Sequence, residues 1–115
     1  MSKTLFLESI AEMIPIENPQ EILKFLEEQN CETLEKVILD SVHELKKEPY
    51  LKCANLSFFE CPFKSGEDAI YLNADFNIPD YASVYRIEGN IFEKTINPHF
   101  KTLNFRFLLS FDSTN

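Results

Sequence analysis

Residues 70–78 read Ile-Tyr-Leu-Asn-Ala-Asp-Phe-Asn-Ile, a stretch in which every second side chain is aliphatic or phenylalanine. Side chains of a β-strand point alternately to its two faces, so a period of two predicts a strand. One predicted face is apolar and packs on the core. The other face carries Tyr71, Asn73 and Asp75.

The same period of two recurs on both sides of this stretch. Leu103–Phe111 repeats it and predicts a second strand. Tyr50–Cys61 predicts another strand, with a β-bulge near Asn55, where the alternation breaks.

A hairpin is predicted between the strand at residues 70–78 and the strand at Leu103–Phe111. Gly89 and Asn90 form a two-residue turn signal, with Ser83–Glu88 and Ile91–Ile96 as the flanking strands. Residues 50–115 therefore predict an antiparallel meander of four or five strands.

Residues 1–48 have a helical period instead. A first helix is predicted over residues 4–13, ended by Pro15. A third helix is predicted over residues 32–48, ended by Pro49. Its apolar stripe comprises Leu34, Val37, Ile38, Ser41, Val42 and Leu45.

The second helix carries the strongest local start signal. Asn18 is a favourable N-cap, Pro19 suits the first helical position, and Glu21 can complete a capping box. Asn30 is a natural stop.

Helices followed by strands are typical of an α+β fold. We expect residues 1–115 to form a single domain, with a helical half in residues 1–48 and a strand half in residues 50–115. Three N-terminal helices would pack on one face of a four- or five-stranded antiparallel sheet.

The charge balance limits the kinds of partner. Nineteen acidic and 11 basic residues give a net charge of -8 and a pI near 4.7. Nucleic-acid and anionic-membrane binding both depend on Lys and Arg, so neither a direct nucleic-acid contact nor a membrane partner is expected. Most of the acidity lies in residues 1–48, which hold 11 acidic and five basic side chains.

The N-terminal stretch meets Glu8 and Glu12 too early for the apolar core of a signal peptide. Cys31, Cys53 and Cys61 form an odd set without a CxxC pair. We therefore expect reduced thiols and a cytoplasmic protein.

Motifs for catalysis are missing from the sequence. Gly66 and Gly89 are the only glycines, and neither belongs to a phosphate-binding loop. His43, His99 and the cysteines lack the spacing of a metal site or of a nucleophile and its base. We predict neither an enzyme nor a bound metal or cofactor.

Two surfaces are candidates for binding a partner. One is the outward side of the third helix, and the other combines carboxylates with tyrosines, which interfaces favour. The first comprises Asp40, Glu44 and Glu48; the second comprises Tyr71, Asp75, Asp80, Tyr81 and Tyr85. The sequence does not choose between them.

In general character the chain resembles the small acidic proteins that bacteria and phages make to block a basic enzyme. Acidic surfaces steer basic partners to fast association. The leading hypothesis is an inhibitor of a basic toxin, a nuclease, in the manner of the immunity proteins of bacterial toxin systems. The alternatives are a phage-encoded inhibitor of a host defence nuclease, an acidic secretion chaperone or adaptor, and a small enzyme or ligand-binding domain. The oligomeric state is left open.

Overall fold

The computed structural model of the chain describes residues 2–63 and 67–114, with three helices, two strands, a helical segment and a final strand in that order. None of the helices in this part of the chain has the length and apolarity that a membrane span requires. The elements are α1 (Lys3–Ala11), α2 (Pro19–Gln29), α3 (Glu32–Lys46), β1 (Leu51–Phe59), β2 (Ala69–Phe76), α4 (Tyr81–Ile91), a π-helical segment (Phe92–Ile96), a 3₁₀ turn (Asn97–His99), α5 (Phe100–Leu103) and β3 (Phe107–Ser113).

The three N-terminal helices form where the sequence predicts them. All six residues of the predicted α3 stripe are buried. Asn30 ends α2 in the left-handed conformation, with φ 45°. The predicted capping box at Asn18 is wrong: this residue has φ 55°, and its side chain makes no capping hydrogen bond. An N-cap side chain normally reaches the first helical amides from an extended backbone, which Asn18 does not have.

The sheet has three strands in the order β1-β2-β3, and it is mixed. β1 pairs antiparallel with β2, whereas β2 pairs parallel with β3. The predicted antiparallel sheet of four or five strands is therefore wrong, although the α+β class is right. Within residues 70–78, the strand β2 ends at Phe76 and is central in the sheet, and Ile70, Leu72, Ala74 and Phe76 are buried as predicted.

The predicted hairpin around Gly89 is a helix, α4. The Asp80 carboxylate caps its start by accepting hydrogen bonds from the Ala82 amide at 3.0 Å and the Ser83 hydroxyl at 2.8 Å. Val84 and Ile91, seven residues apart, are buried on one side of the helix. The cap and this spacing outweigh the turn signal of Gly89-Asn90 and the β-branched residues that precede it.

This helical segment explains why β3 is parallel to β2, because parallel neighbours need a long crossover connection and a hairpin turn cannot supply one. The predicted start of the last strand at Leu103 is wrong. Leu103 ends α5, and Asn104 and Phe105 follow in the left-handed region with φ 47° and 64°. They turn the chain into β3.

β1 differs from its prediction in one detail. Its register shifts between Leu51 and Cys53, not near Asn55. The edge of β1 away from β2 is partly covered, because the Leu56 amide donates to the Pro15 carbonyl at 3.0 Å and the Leu56 carbonyl accepts from the Glu17 amide at 2.7 Å.

The helices and the core lie on one side of the sheet. Apolar residues from all three strands join side chains of α1–α4 in one buried cluster. The opposite side is here named the outward face; apart from the buried Ala69, which pairs with Phe59, the residues that define it are half-buried or exposed. These residues are Cys53, Asn55, Ser57, Phe59, Tyr71, Asn73, Asp75, Leu108, Ser110 and Asp112.

Candidate partner-binding surfaces

The acidic side chains of α3 are largely neutralised within the protein. Asp40 forms an ion pair with Lys36 at 3.0 Å, one turn away on the same helix. Glu44 binds two cations, Lys47 at 3.1 Å and Lys94 at 3.0 Å. Hydrogen bonds from Lys94 and then Lys47 lower the pKa of the Glu44 carboxyl despite a smaller opposing effect of burial. A partner would have to displace these lysines to use either carboxylate.

Glu48, the third predicted acid, lies just beyond the end of α3. Its backbone amide donates to the Leu45 carbonyl at 3.0 Å, and the residue is half-buried. Among the described residues it has no ion-pair partner, so it is the one carboxylate of this predicted set that is unpaired.

The second predicted set is divided between two elements. Tyr71 and Asp75 lie on the outward face of β2, whereas Asp80, Tyr81 and Tyr85 belong to the start of α4. The Ser83 hydroxyl, followed by the Ala82 amide, lowers the pKa of the Asp80 carboxyl, so this group serves the helix cap.

Tyr81 and Tyr85 lie one helical turn apart, with ring centroids 6.0 Å apart. They are 50% and 59% exposed. They form a small aromatic patch at the start of α4, beside the capping Asp80, whereas Asp75 lies on β2.

A hydrogen-bond network holds the middle of the outward face. The Asn73 side-chain amide donates to Asn55 Oδ1 at 2.7 Å and to Ser57 Oγ at 2.8 Å. Asn55 in turn donates to Glu17 Oε1 at 3.0 Å. The network joins β1, β2 and the segment beside β1.

Two aspartates are neighbours at one end of this face. Asp75 of β2 and Asp112 of β3 occupy paired register positions, so their side chains leave the sheet on the same side. Within residues 2–63 and 67–114 no Lys, Arg or His forms an ion pair with either of them. Asp75 accepts a weak hydrogen bond from the Cys53 thiol at 3.4 Å.

The aspartates border a shallow hollow of about 280 Å³. Partial desolvation beside the sheet, followed by the hydrogen bond to Asp75, raises the pKa of the exposed Cys53 thiol, which favours its neutral form at neutral pH. Side chains around the hollow are those of Pro15, Cys53, Asn55, Asn73, Asp75, Ser110 and Asp112.

The other end of the outward face is aromatic and apolar. Phe59 is 42% exposed, and its ring lies 5.8 Å from that of Tyr71. Leu108 is the register neighbour of Tyr71 on β3. The outward face thus has an unpaired acidic end, a rigid polar middle and an apolar end.

Sequence reasoning found Tyr71 and Asp75 but missed Asp112, their counterpart on β3. The signal was present, because Asp112 continues the polar side of the last predicted strand after Ser110. Recognising the pair also required the parallel register of β2 and β3, which the predicted antiparallel meander excluded.

No group of three or more His, Cys, Asp or Glu side chains is placed to hold a metal ion within the described part of the chain. The three cysteines are free, and Cys53 is the exposed one. Comparison of the chain with protein-family models, with curated proteins and with solved structures found no match.

Proposed function

We propose that the protein is an inhibitor that binds a basic partner, a toxin nuclease, through the outward face of its sheet. The observation that carries the proposal is the pair of aspartates, Asp75 and Asp112, side by side on the face of the sheet opposite the described helices. Like charges in adjacent positions are mutually unfavourable. A cationic group from a partner would relieve this repulsion.

The chemistry of the pair fits arginine best. A guanidinium group presents a planar fork of donors that binds carboxylates in a bidentate manner, and it is more weakly hydrated than an ammonium group. Nucleases carry arginine and lysine where they bind phosphate groups. Asp75 and Asp112 would occupy such a cleft in place of the nucleic acid.

The rest of the face supports tight binding. Tyr71 and Phe59 offer aromatic area at the end of the face opposite the aspartates, and aromatic side chains often dominate binding energy. The network around Asn73 is already ordered. Little side-chain freedom would be lost on binding there.

The area of the face limits what it can do alone. Over the seven residues of β2 that pair with β3, the three strands span about 14 Å by about 23 Å. A standard interface buries about 800 Å² on each partner, which is more than twice that area. We therefore place the remaining contacts on the margins of the sheet.

The net charge of -8 adds a long-range contribution. It attracts a basic protein before contact and accelerates association at low ionic strength. The identity of the partner would also separate a bacterial immunity protein from a phage inhibitor of a defence nuclease, since both would use the same chemistry.

The test starts with a tagged pull-down from the native host at about 50 mM and about 300 mM salt, read by mass spectrometry. We expect one basic protein in near-equal amount. Its activity on DNA and RNA is then titrated with the purified chain. Loss of nuclease activity that is complete at one equivalent supports the proposal. A basic partner that keeps its activity when saturated, or no basic partner under conditions that express the toxin, contradicts it.

One observation favours the chaperone alternative. An apolar groove of about 350 Å³ lies between α1 and α2, bordered by Leu7, Ala11, Ile16 and Leu23. A secretion chaperone would use such a groove for an apolar segment of its effector. Light scattering separates the two functions, because the chaperone is expected to dimerise.

A further inference from the structure

β3 has one unpaired edge, and it differs from the edge of β1. On its paired side, the Arg106 carbonyl accepts from Ile70 and the Thr114 amide donates to Phe76. Even-numbered residues of β3 therefore bond to β2, and odd-numbered residues direct their amides and carbonyls away from it. No strand in residues 2–63 and 67–114 lies on that side.

Leu109 is the residue at the centre of this edge. Its amide and carbonyl point away from β2. Neither group forms a hydrogen bond with a backbone group of the described residues. Phe111 is the next residue whose amide points away from β2, and this amide donates to Glu88 Oε2 at 3.1 Å. Edge strands are usually protected by Lys, Pro, a bulge, or a covering helix or loop. β3 has no Lys, Pro or bulge between Phe107 and Ser113, and among the described residues the side-chain contact from α4 to the amides of this edge is that of Glu88 with Phe111.

A groove of about 580 Å³ runs beside Leu109, between β3 and the helical segment that precedes it. This volume is within the range of about 300–1,000 Å³ found for ligand pockets. Apolar side chains border it on both walls. They are Phe92 and Ile96 from the π-helical segment and Phe107, Leu108 and Leu109 from β3.

The helical wall has an unusual backbone. Phe92–Ile96 is π-helical, and the Asn97 amide donates to the Phe92 carbonyl. Such segments are rare and often occur at functional sites. A buried anchor holds the wall to α3: Thr95 Oγ1 donates to the Ile91 carbonyl at 2.8 Å and lies 2.8 Å from Ser41 Oγ.

The charged groups of the groove are two acids and one base. Glu88 is half-buried beside the Phe111 amide, and Glu93 is exposed and accepts a hydrogen bond from Asn97 at 3.0 Å. Arg86 borders the same groove. The excess of negative charge suits a ligand that carries Lys or Arg.

We propose that this groove binds an extended segment of a partner protein, which adds to the sheet as a fourth strand beside β3. Main-chain hydrogen bonds to Leu109 would hold the segment, apolar side chains would enter the groove, and a basic side chain would face Glu88 and Glu93. This mode of recognition uses a free sheet edge for affinity and the neighbouring pockets for specificity. The site is distinct from the aspartate pair and does not depend on the proposed inhibition, although Leu108 belongs to both the groove and the outward face.

The probe is a phage-displayed library of random ten-residue peptides, selected on the full chain. We expect enriched peptides to contain alternating apolar residues and at least one Lys or Arg. Hydrogen exchange of the Leu109 amide should slow when such a peptide binds. Failure to enrich any peptide, or protection confined to the α1–α2 groove, would overturn the proposal.

Backbone methylation of the best peptide tests the strand geometry without altering the protein. Only alternate residues of an added strand direct their amides to β3. N-methylation at those positions should weaken binding at least about tenfold, and at the intervening positions less than about threefold. A uniform response would exclude strand addition.

Gly89→Leu tests the same groove by a change in the protein instead of the peptide. Gly89 borders the groove within α4, and a Cβ added there meets no atom within 4 Å. The substitution should therefore keep the fold, and because Gly89 lines the groove, the added side chain should narrow it and reduce peptide affinity at least about tenfold. Unchanged affinity contradicts the proposal. Protection of the Leu109 amide by self-association at high protein concentration also contradicts it, because the occupant of the groove would then be a second copy of this chain.

Discussion

Acidic groups on α3 and on the outward face differ in how the protein balances their charge. Asp40 and Glu44 are paired with lysines of the same chain. Asp75 and Asp112 are adjacent to each other and lack a cation among the described residues. Acidic residues that look equivalent in the sequence are thus paired with lysines on α3, whereas on the outward face they lack such a partner among the described residues.

Charge reversal should produce the largest difference between the surfaces. We expect Asp75→Lys with Asp112→Lys to weaken binding of the basic partner at least about 100-fold, since charged hydrogen bonds contribute about 1.5–3 kcal/mol each. Asp40→Lys with Glu48→Lys makes the same change in net charge and serves as the control. It should weaken binding less than about threefold. Calorimetric titration measures both, and equal losses would show that only overall charge matters.

Salt should affect the two surfaces differently as well. Raising salt from about 50 to about 300 mM should slow association with a basic partner about tenfold, because screening removes long-range attraction. Stopped-flow mixing measures the rate. The free energy of unfolding should change little, since ion pairs on the surface contribute only about 0–1 kcal/mol. An association rate that is independent of salt would contradict electrostatic steering.

Neutralising one aspartate should change stability in opposite directions on the two surfaces. Asp112→Asn removes repulsion with Asp75 and should raise the free energy of unfolding by about 0.2–1 kcal/mol. Asp40→Asn removes a helical ion pair with Lys36 and should lower it by about 0.3–0.5 kcal/mol. Urea unfolding of the two variants measures the difference. Stabilisation by both substitutions would mean that general self-repulsion dominates.

The smallest expected effect is the pH response of Glu44. Its pKa is lowered in the folded protein by Lys94 and Lys47. Its contribution to stability is therefore present above the pKa of the unfolded chain and is lost as the pH falls through the lower, folded value. Glu44→Gln should reduce the urea midpoint slightly at pH 7, and the difference from the unaltered protein should vanish in acid. A difference that persists in acid would point to lost packing.

The sequence predicted those parts of the fold in which local pattern and burial agree. The stripe of α3 and the apolar face of β2 are both found as predicted. The region around Gly89 was predicted wrongly, because its turn signal and β-branched residues hide a helix that the Asp80 cap initiates.

That one error carried over to the candidate site. A helix between β2 and β3 changes their relative direction, and direction decides which residues are neighbours across strands. Tyr71 and Asp75 could be found from alternation alone. The position of Asp112 beside Asp75, and the free edge at Leu109, depend on the pairing of strands that are distant in sequence.

The crossover between β2 and β3 has a consequence for synthesis on the ribosome. β2 is translated before residues 77–106, and at about 5–20 residues per second that segment takes several seconds to emerge. During this interval β2 has β1 on one side and an unfilled edge on the other. An apolar strand with an open edge is prone to aggregate. The nascent chain is therefore most exposed to misassembly after its helices and first hairpin have emerged and before β3 arrives, which is when a holding chaperone would protect it most.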